Sequence, residues 1–565
     1  MKWSFRQILS GLSVALLIYP VTQVYAHQSG EIADVVYQNG KIVTMEDSGT
    51  IAESIAISGN RIIDVGSNNE VAFHIDKNTR IVDLKGKTVV PGLIDTHLHF
   101  MRYGLKFLQI ECMNKSKEEI LASVEKQAGV LPTGSWIRGN GWNQTIWTVA
   151  EFPTAAELDK VSGDFPVVLI RSDNHATWVN QKALDIAGIT RETPDPDGGK
   201  ILRDANGNPT GILIDSAMKL VNSKMPAWSE EEMKRAYLLA DQSYSQYGLT
   251  TIHDAGDIAN IPLIKSLIRD EKINTRIYEV LDQETGIAYL EKGIKPEVGL
   301  YNDHLTIRAI KYKVDGALGS RGARMLEDYS DAPGVRGNTL IKPERLTELA
   351  QKSFDLGYQA STHAIGDETD KQVLDIYENL FRKNDVKDNS IRFNIVHAQV
   401  LTPSDLPRFA ELKIPALMQP IHATGDMNMA EDRVGPVRIL GAYAWRSLTD
   451  YGALIAGGSD SPNDYLSPVY GIHAAVTRQD QKNRPPGGWY PQERLTRVEA
   501  LALYTKNAAY ISFEEKTKGT LEIGKYADFI VLSDDILTMP AEDIWKTKVL
   551  LTVIGGKEVY INNQK

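Results

Sequence analysis

One phrase recurs along the middle of this chain: a helix with a polar face, a glycine or polar stop, then a short apolar strand. "SEEEMKRAYLLADQSYSQYG" leads into "LTTIHDAG", "PERLTELAQKSFDLGY" into "QASTHAIGD", "PSDLPRFAELK" into "IPALMQP", and "WRSLTDYG" into "ALIAGGSD". Repeated helix-to-strand steps imply strands that all run one way, because each helix carries the chain back to the start of the sheet. The stretch from Pro91 to about Ile511 is therefore expected to form a parallel α/β sheet. A (β/α)8 barrel holds roughly 250 to over 400 residues in one domain, so a 565-residue chain needs few other units.

The two ends have a different texture. "ADVVYQNGKIVTM" sets Asn39-Gly40 between β-rich runs, a hairpin signal, and "SIAISGNRIIDVG" repeats it at Gly59-Asn60. "RIVDLKGKTVVPG" adds a strand pair, and "KVLLTVIGGKEVYINN" near the C-terminus turns at Gly555-Gly556. Residues 30–90 and 520–565 are expected to pair into one small sheet domain beside the barrel. Residues 131–230 interrupt the helix-strand phrase with tryptophan-bearing and turn-rich segments, and read as a barrel insertion or long active-site loops.

Composition narrows the class. A charged fraction of 24% and a hydrophobic fraction of 42% are those of a globular protein. The net charge of -11 repels phosphate backbones, which argues against a nucleic-acid partner. Cys112 is the single cysteine, so no internal disulfide can form, and a buried inert thiol is expected. At the N-terminus Lys2 and Arg6 precede an apolar run from Ile8 to Val21, then Val24-Tyr25-Ala26. That is the pattern of a cleaved signal peptide over residues 1–26, with a periplasmic or secreted mature chain; an uncleaved anchor is the alternative. The run is short for a span of about 20 residues, so no stable membrane span is expected after cleavage.

Ionisable residues close the apolar strands. In "PGLIDTHLHF", His97 and His99 lie two apart, and the two-residue period of a strand puts both imidazoles on one face. His363 ends "ASTH", His397 ends "FNIVH", and Asp460 follows "LIAGGS". In parallel barrels the C-terminal strand ends form the active-site face. A histidine at any one position is accounted for by a hydrogen-bonded core residue; four segments agreeing in place and type point instead to a metal site. In "LTIRAIKYKVDGALGS", Lys311, Lys313 and Asp315 alternate and share a face. A lysine facing a barrel interior must be paired, deprotonated or modified, whereas a polar edge strand would leave both lysines solvated.

The ordered set "PGLIDTHLH", "GWNQTIW", "DNHATWVNQKAL", "KYKVDGALGSRGA", "HAIGD", "VHAQ", "QPIHATGDM", "GSDSP" and "GTLEIGKYADFIVL" resembles the metal-dependent amidohydrolase superfamily. More narrowly it is similar to the YtcJ-like branch (amidohydrolase 3), which includes N-substituted formamide deformylases. The resemblance implies a distorted (β/α)8 TIM barrel with a β-sandwich built from both termini. It implies metal ligation by His97, His99, Lys311, His363, His397 and Asp460, with Lys311 open to carbamylation so that it bridges two metals. Lys313, two residues away, competes for that bridging role.

The expected chemistry is hydrolysis of a linear or cyclic amide of a small substrate. One or two divalent ions, zinc foremost, activate water, and Asp460 shuttles its proton to the leaving nitrogen. Trp136, Trp142, Trp147 and Trp178 cluster in the 131–180 stretch, either as an aromatic pocket for an apolar substituent or as the insertion's own core. Trp142, His175, His422 and Arg324 are the candidate substrate contacts. A small-molecule binding protein on a degenerate barrel, and an esterase or lactonase on the same site, are the competing readings; a homodimer stays open.

Overall fold

The structure, a computed structural model, describes residues 30–172, 175–256 and 260–562. The expected signal segment, residues 1–26, lies outside the described residues.

Eight parallel strands form the central sheet in sequence order: β1 (Leu93–Leu98), β2 (Leu249–Asp254), β3 (Arg276–Leu281), β4 (Leu305–Lys313), β5 (Gln359–Ala364), β6 (Asn394–His397), β7 (Ala416–Met418) and β8 (Ile455–Gly457). The ring closes where β8 meets β1: the Thr96 hydroxyl donates to the Gly457 carbonyl at 3.0 Å. Just beyond, Asp460 N–H donates to His97 O at 2.7 Å and His99 N–H to Ser461 O at 2.8 Å. Sheet and helices therefore make the expected (β/α)8 barrel. Seven strands are buried at every residue, as strands covered on both faces must be. β4 is the exception, with Arg308 and Lys311 half-buried and Lys313 exposed.

The helices begin and end where their sequences say they should. Glu230–Gln246 starts on a capping box in which the Ser229 side chain accepts from Glu232 N–H and Glu232 reaches back. Pro343–Leu356 opens with proline at its first position, where the missing N–H costs nothing, and stops at Gly357 with φ 86°, two residues before β5.

Both termini build a two-sheet unit beside the barrel. Phe529–Leu532 pairs antiparallel with Thr88–Pro91, so the last part of the chain completes a sheet begun by the first. Tyr37, Ile42, Ile55, Val89 and Phe529 fill the space between this six-stranded sheet and a four-stranded one. The hairpins at Gly59-Asn60 and Gly555-Gly556 form as expected. Asn39-Gly40 does not make one: Val35–Gln38 belongs to the four-stranded sheet and Lys41–Val43 to the six-stranded sheet. Arg80–Asp83 and Thr88–Pro91 part in the same way. These two turns are stacked corners, joined by Leu84 N–H to Gln38 O at 2.9 Å and Gly86 N–H to Asn39 O at 2.7 Å. A Cβ on Gly40 would lie 2.5 Å from the Leu84 side chain, so glycine is needed there for close approach and not for a hairpin. A buried ion pair, Arg276 Nε to Asp528 Oδ2 at 2.8 Å, ties this unit to the foot of β3.

The insertion is a folded layer and starts earlier than residue 131. Its six-stranded sheet runs from Ile110–Glu111 to Pro209–Asp215 and takes in the helix Lys117–Ala128. Cys112 is fully buried there, and burial pushes its thiol up to about 12, which makes it inert at neutral pH. Among the described residues no helix is long and apolar enough to cross a membrane.

Candidate active site

The residues that end the barrel strands meet in one cleft of about 720 Å³, lined among others by His99, Lys311, His363, His397 and Asp460. On β1 the alternation that sends Leu98 into the core turns Asp95, His97 and His99 the other way. Asp95 holds the seam: its Oδ1 accepts from His97 N–H at 2.9 Å and Ser459 N–H at 3.1 Å. Gly458 allows this approach, since a Cβ there would stand 2.8 Å from His97 N. His397 (φ 76°) and Asp460 (φ 56°) both occupy the left-handed region, a strain that native packing has to hold and that clusters at functional sites.

Asp460 is the hub. Its Oδ1 accepts from His99 Nε2 at 3.0 Å and lies 3.5 Å from His97 Nε2; its Oδ2 lies 3.7 Å from His422 Nε2. Burial alone would raise this carboxyl, but the His99 hydrogen bond and the neighbouring His97, His397 and His422 outweigh it and hold it well below the usual carboxylate range. The imidazoles are lowered too, but by burial itself, which disfavours their charged form. Burial, with Lys311 second, pushes His97 well below its ordinary value and brings His363 to about 3; burial, with His363 second, does the same for His397. At neutral pH these rings are uncharged and offer lone pairs, beside an ionised carboxylate. The Lys311 ammonium nitrogen is 3.1 Å from His97 Nε2.

This donor set fits a divalent cation. The ligand atoms of His97, His99 and Asp460 lie within 4.8 Å of one another, and so do those of His397, His422 and Asp460. His363 Nε2 is buried with no hydrogen-bond partner among the described residues, as a nitrogen reserved for a metal would be, although Asp315 Oδ1 lies 3.4 Å away. His397 Nδ1 is held by Gln419 Oε1 at 2.7 Å, which fixes its tautomer and leaves Nε2 as the ligating nitrogen.

The other expected contacts fall in different places. His422, on the helix Pro420–Asp426, joins the metal-ready group, its ring stacked 6.0 Å from that of His397. Trp142 is fully buried inside the insertion, packs against Trp147 and Trp178, and donates its indole N–H to Leu169 O at 2.7 Å. Its ring is core, so no aromatic wall faces the cleft from there. His175 is largely exposed and hydrogen-bonded to Asp215 at 2.7 Å on the insertion's rim. Arg324 is drawn to Glu368 at 3.0 Å, and its backbone N–H to Asp315, away from the lining. The sequence reading singles out neither Asp95 nor Gln419, and takes Asp315 only as a residue that shares a face with Lys311 and Lys313. Asp95 could have been found from its place two residues before His97, on the same face. Asp315 accepts from Arg324, Ile365 and Gly366 N–H groups and so ties the loop after β4 to the loop after β5.

A barrel with metal-competent histidines at its strand ends and a sandwich from both termini defines a class of metal-dependent hydrolases. The profile of the amidohydrolase family (Amidohydro_3) matches residues 80–560, and the chain belongs to that family. It is 35% identical over 552 residues to LONG AFTER FAR-RED 3 of Arabidopsis thaliana (94% of this chain, 92% of that one). It is 33% identical to YtcJ of Bacillus subtilis (93% and 99%) and 28% identical to the N-substituted formamide deformylase of Arthrobacter pascens (93% and 98%). The crystal structure of a metal-dependent hydrolase from Pyrococcus furiosus superposes with a TM-score of 0.74 at 27% identity, covering 89% of this chain and 100% of that one. The protein is thus an enzyme, a metal-dependent hydrolase of carbon–nitrogen bonds.

Proposed function

We propose that the enzyme hydrolyses linear or cyclic amide bonds of a small substrate in the cleft above β1, β4, β5, β6 and β8. The observation that carries this reading is the grouping of His97, His99 and Asp460, with the neutral His97 ring beside an ionised carboxylate. These residues with Lys311, His363 and His397 would hold one or two divalent ions, zinc foremost. A bound ion supplies a Lewis acid and lowers the pKa of water toward neutrality.

The chain's own groups do the remaining work. Asp460, ionised and facing His97 and His99, accepts the proton of the attacking water and delivers it to the leaving nitrogen. Asp95 keeps His97 in place from beneath, and Gln419 keeps His397 in one tautomer. Lys311 is suited to carbamylation: its neutral amine nitrogen bonds to the carbon of CO₂ and releases one further proton to solvent, which leaves a carbamate anion with two oxygens. The aliphatic lining is short, Ile287 and Leu340, so any apolar part of the substrate is small.

The likeness to the formamide deformylase makes N-substituted formamides the first probes, with cyclic amides and matched esters beside them. Metal-loaded enzyme should cleave amides and lose activity with its metal on exhaustive chelation. Full turnover by metal-free protein would overturn the mechanism, and turnover of the esters alone would overturn the bond. We further propose that the enzyme works outside the cytoplasm after loss of residues 1–26. Mass spectrometry of the soluble cellular protein should find a mature N-terminus near His27, and an intact Met1–Ala26 segment would refute export.

A further inference from the structure

Lys313 has no task in the scheme above. It lies on the same face of β4 as Lys311, about 7 Å further along the strand, and lines the same cleft. Its neighbour in register on β5 is His363, so it stands beside the metal-ready group and not at a distant rim. Its positive charge reaches that histidine, contributing to the depression of its titration. Among the described residues Lys313 forms no ion pair.

The acids around it are engaged elsewhere or out of reach. Asp460 is held by the histidines. Asp282 caps the helix Gln283–Glu291, its Oδ1 accepting from Thr285 N–H at 3.0 Å. Glu284 lines the cleft but comes within no ion-pair distance of Lys313. Gln283 spends its side-chain oxygen on the Lys313 backbone N–H at 3.3 Å, which fixes the strand end, while the Lys313 residue itself is exposed and lines the cleft. β4 is the one barrel strand with an exposed residue. A strand otherwise built from buried and half-buried residues gains nothing in stability from a lone cation there.

We propose that Lys313 is the anchor for an anionic group of the substrate, and that the enzyme's preferred amides carry a carboxylate a few bonds from the scissile C–N bond, as N-acylated amino acids do. Lys313 is then a specificity residue: its ammonium donates to the carboxylate, and the reacting carbonyl is left over the strand-end histidines. This rests on the amide-hydrolase reading above.

The test uses two probes of equal length, N-formylglycine and its uncharged counterpart N-formylglycinamide, with metal-loaded wild type, Lys313→Met and Lys313→Arg, and metal content checked in each. Wild type should favour the carboxylate in kcat/KM. Lys313→Met should cut the ratio between the probes about 10- to 100-fold, the worth of one charge-assisted hydrogen bond, chiefly through KM. Lys313→Arg should keep most of the ratio. Calorimetric binding of N-formylglycine gives a readout free of turnover: affinity should fall by a similar factor in Lys313→Met and return in Lys313→Arg. If neither probe is cleaved by wild type, the amide reading fails for these substrates, while calorimetry still decides the anchor. An unchanged ratio and unchanged affinity in Lys313→Met with full metal content would overturn the proposal. Loss of metal in Lys313→Met would also overturn it, by making Lys313 a ligand.

Discussion

β1 and β4 each present a pair of polar residues spaced two apart toward the same cleft, yet the pairs live in different surroundings. His97 and His99 are 3% and 4% exposed, locked by Asp95 below and Asp460 across the seam. Lys311 is half-buried and Lys313 exposed. The dry pair has its directions fixed before anything binds, as metal ligation requires, since misplacing a ligand forfeits the site. Of the wetter pair, Lys311 is drawn to 3.1 Å from His97 Nε2 and sides with the metal-ready group, while Lys313 keeps a long flexible stem that can adapt to what enters. One cleft thus joins a rigid part suited to the chemistry to a compliant residue suited to selecting what undergoes it.

The most damaging way to break this contrast is His99→Ala. It removes one ligand and the main hydrogen bond to Asp460, so bound metal by elemental analysis and amide hydrolysis should vanish together. Retained metal with lost activity would separate ligation from chemistry on β1. Lys311→Ala sharpens the boundary within β4: metal occupancy and activity should drop and recover in part with a short-chain carboxylate, whereas Lys313→Ala should keep its metal. The reverse result would exchange the roles of the two lysines. Gln419→Ala asks whether the rigid part depends on its supports; metal affinity by competition with a chelator should weaken about 10- to 100-fold.

The smallest expected effect is a pH dependence at a histidine with no ligand role. His253 on β2 is buried, and burial brings it to about 3, below its unfolded value. The unfolded chain therefore takes up a proton at this site, below about pH 6.5, that the folded chain refuses until about 3. Its contribution is present above that window and lost as pH falls through it. Metal-free wild type should lose more stability than His253→Gln between pH 6.5 and 3, measured by denaturant melts. Equal slopes would mean that the ring protonates within the fold. Asp95, raised by burial to about 7, acts with the opposite sign in both proteins and cancels in the comparison.

The barrel could be read from the sequence because each helix and strand carries its own period, caps and stops, as at Ser229 and Gly357. The strand-end histidines could be read for a related reason: apolar runs that end abruptly in imidazole are uncommon unless the strand end faces a site. Local pattern does not tell which sheet a strand joins. Asn39-Gly40 has the composition of a hairpin, but its flanking strands find their partners at residues 55–57 and 88–89. Nor does pattern say what an aromatic residue faces; Trp142 meets Trp178 and Leu169 O, contacts that exist only once the insertion's sheet has formed. The nearness of His422 to Asp460 is hidden from the sequence for the same reason, because it depends on where the helix after β7 sits over the barrel mouth.

The seam between β8 and β1 bears on how this enzyme comes into being. His99 and Asp460 are 361 residues apart, and their meeting completes the ring. Closing a loop of that length is entropically costly, though the cost grows only logarithmically with length, and little local structure can prepare it. A cation held by His97, His99 and Asp460, as proposed above, would staple the longest closure in the barrel, and a chain still incomplete at its C-terminal strands would offer only half of that site.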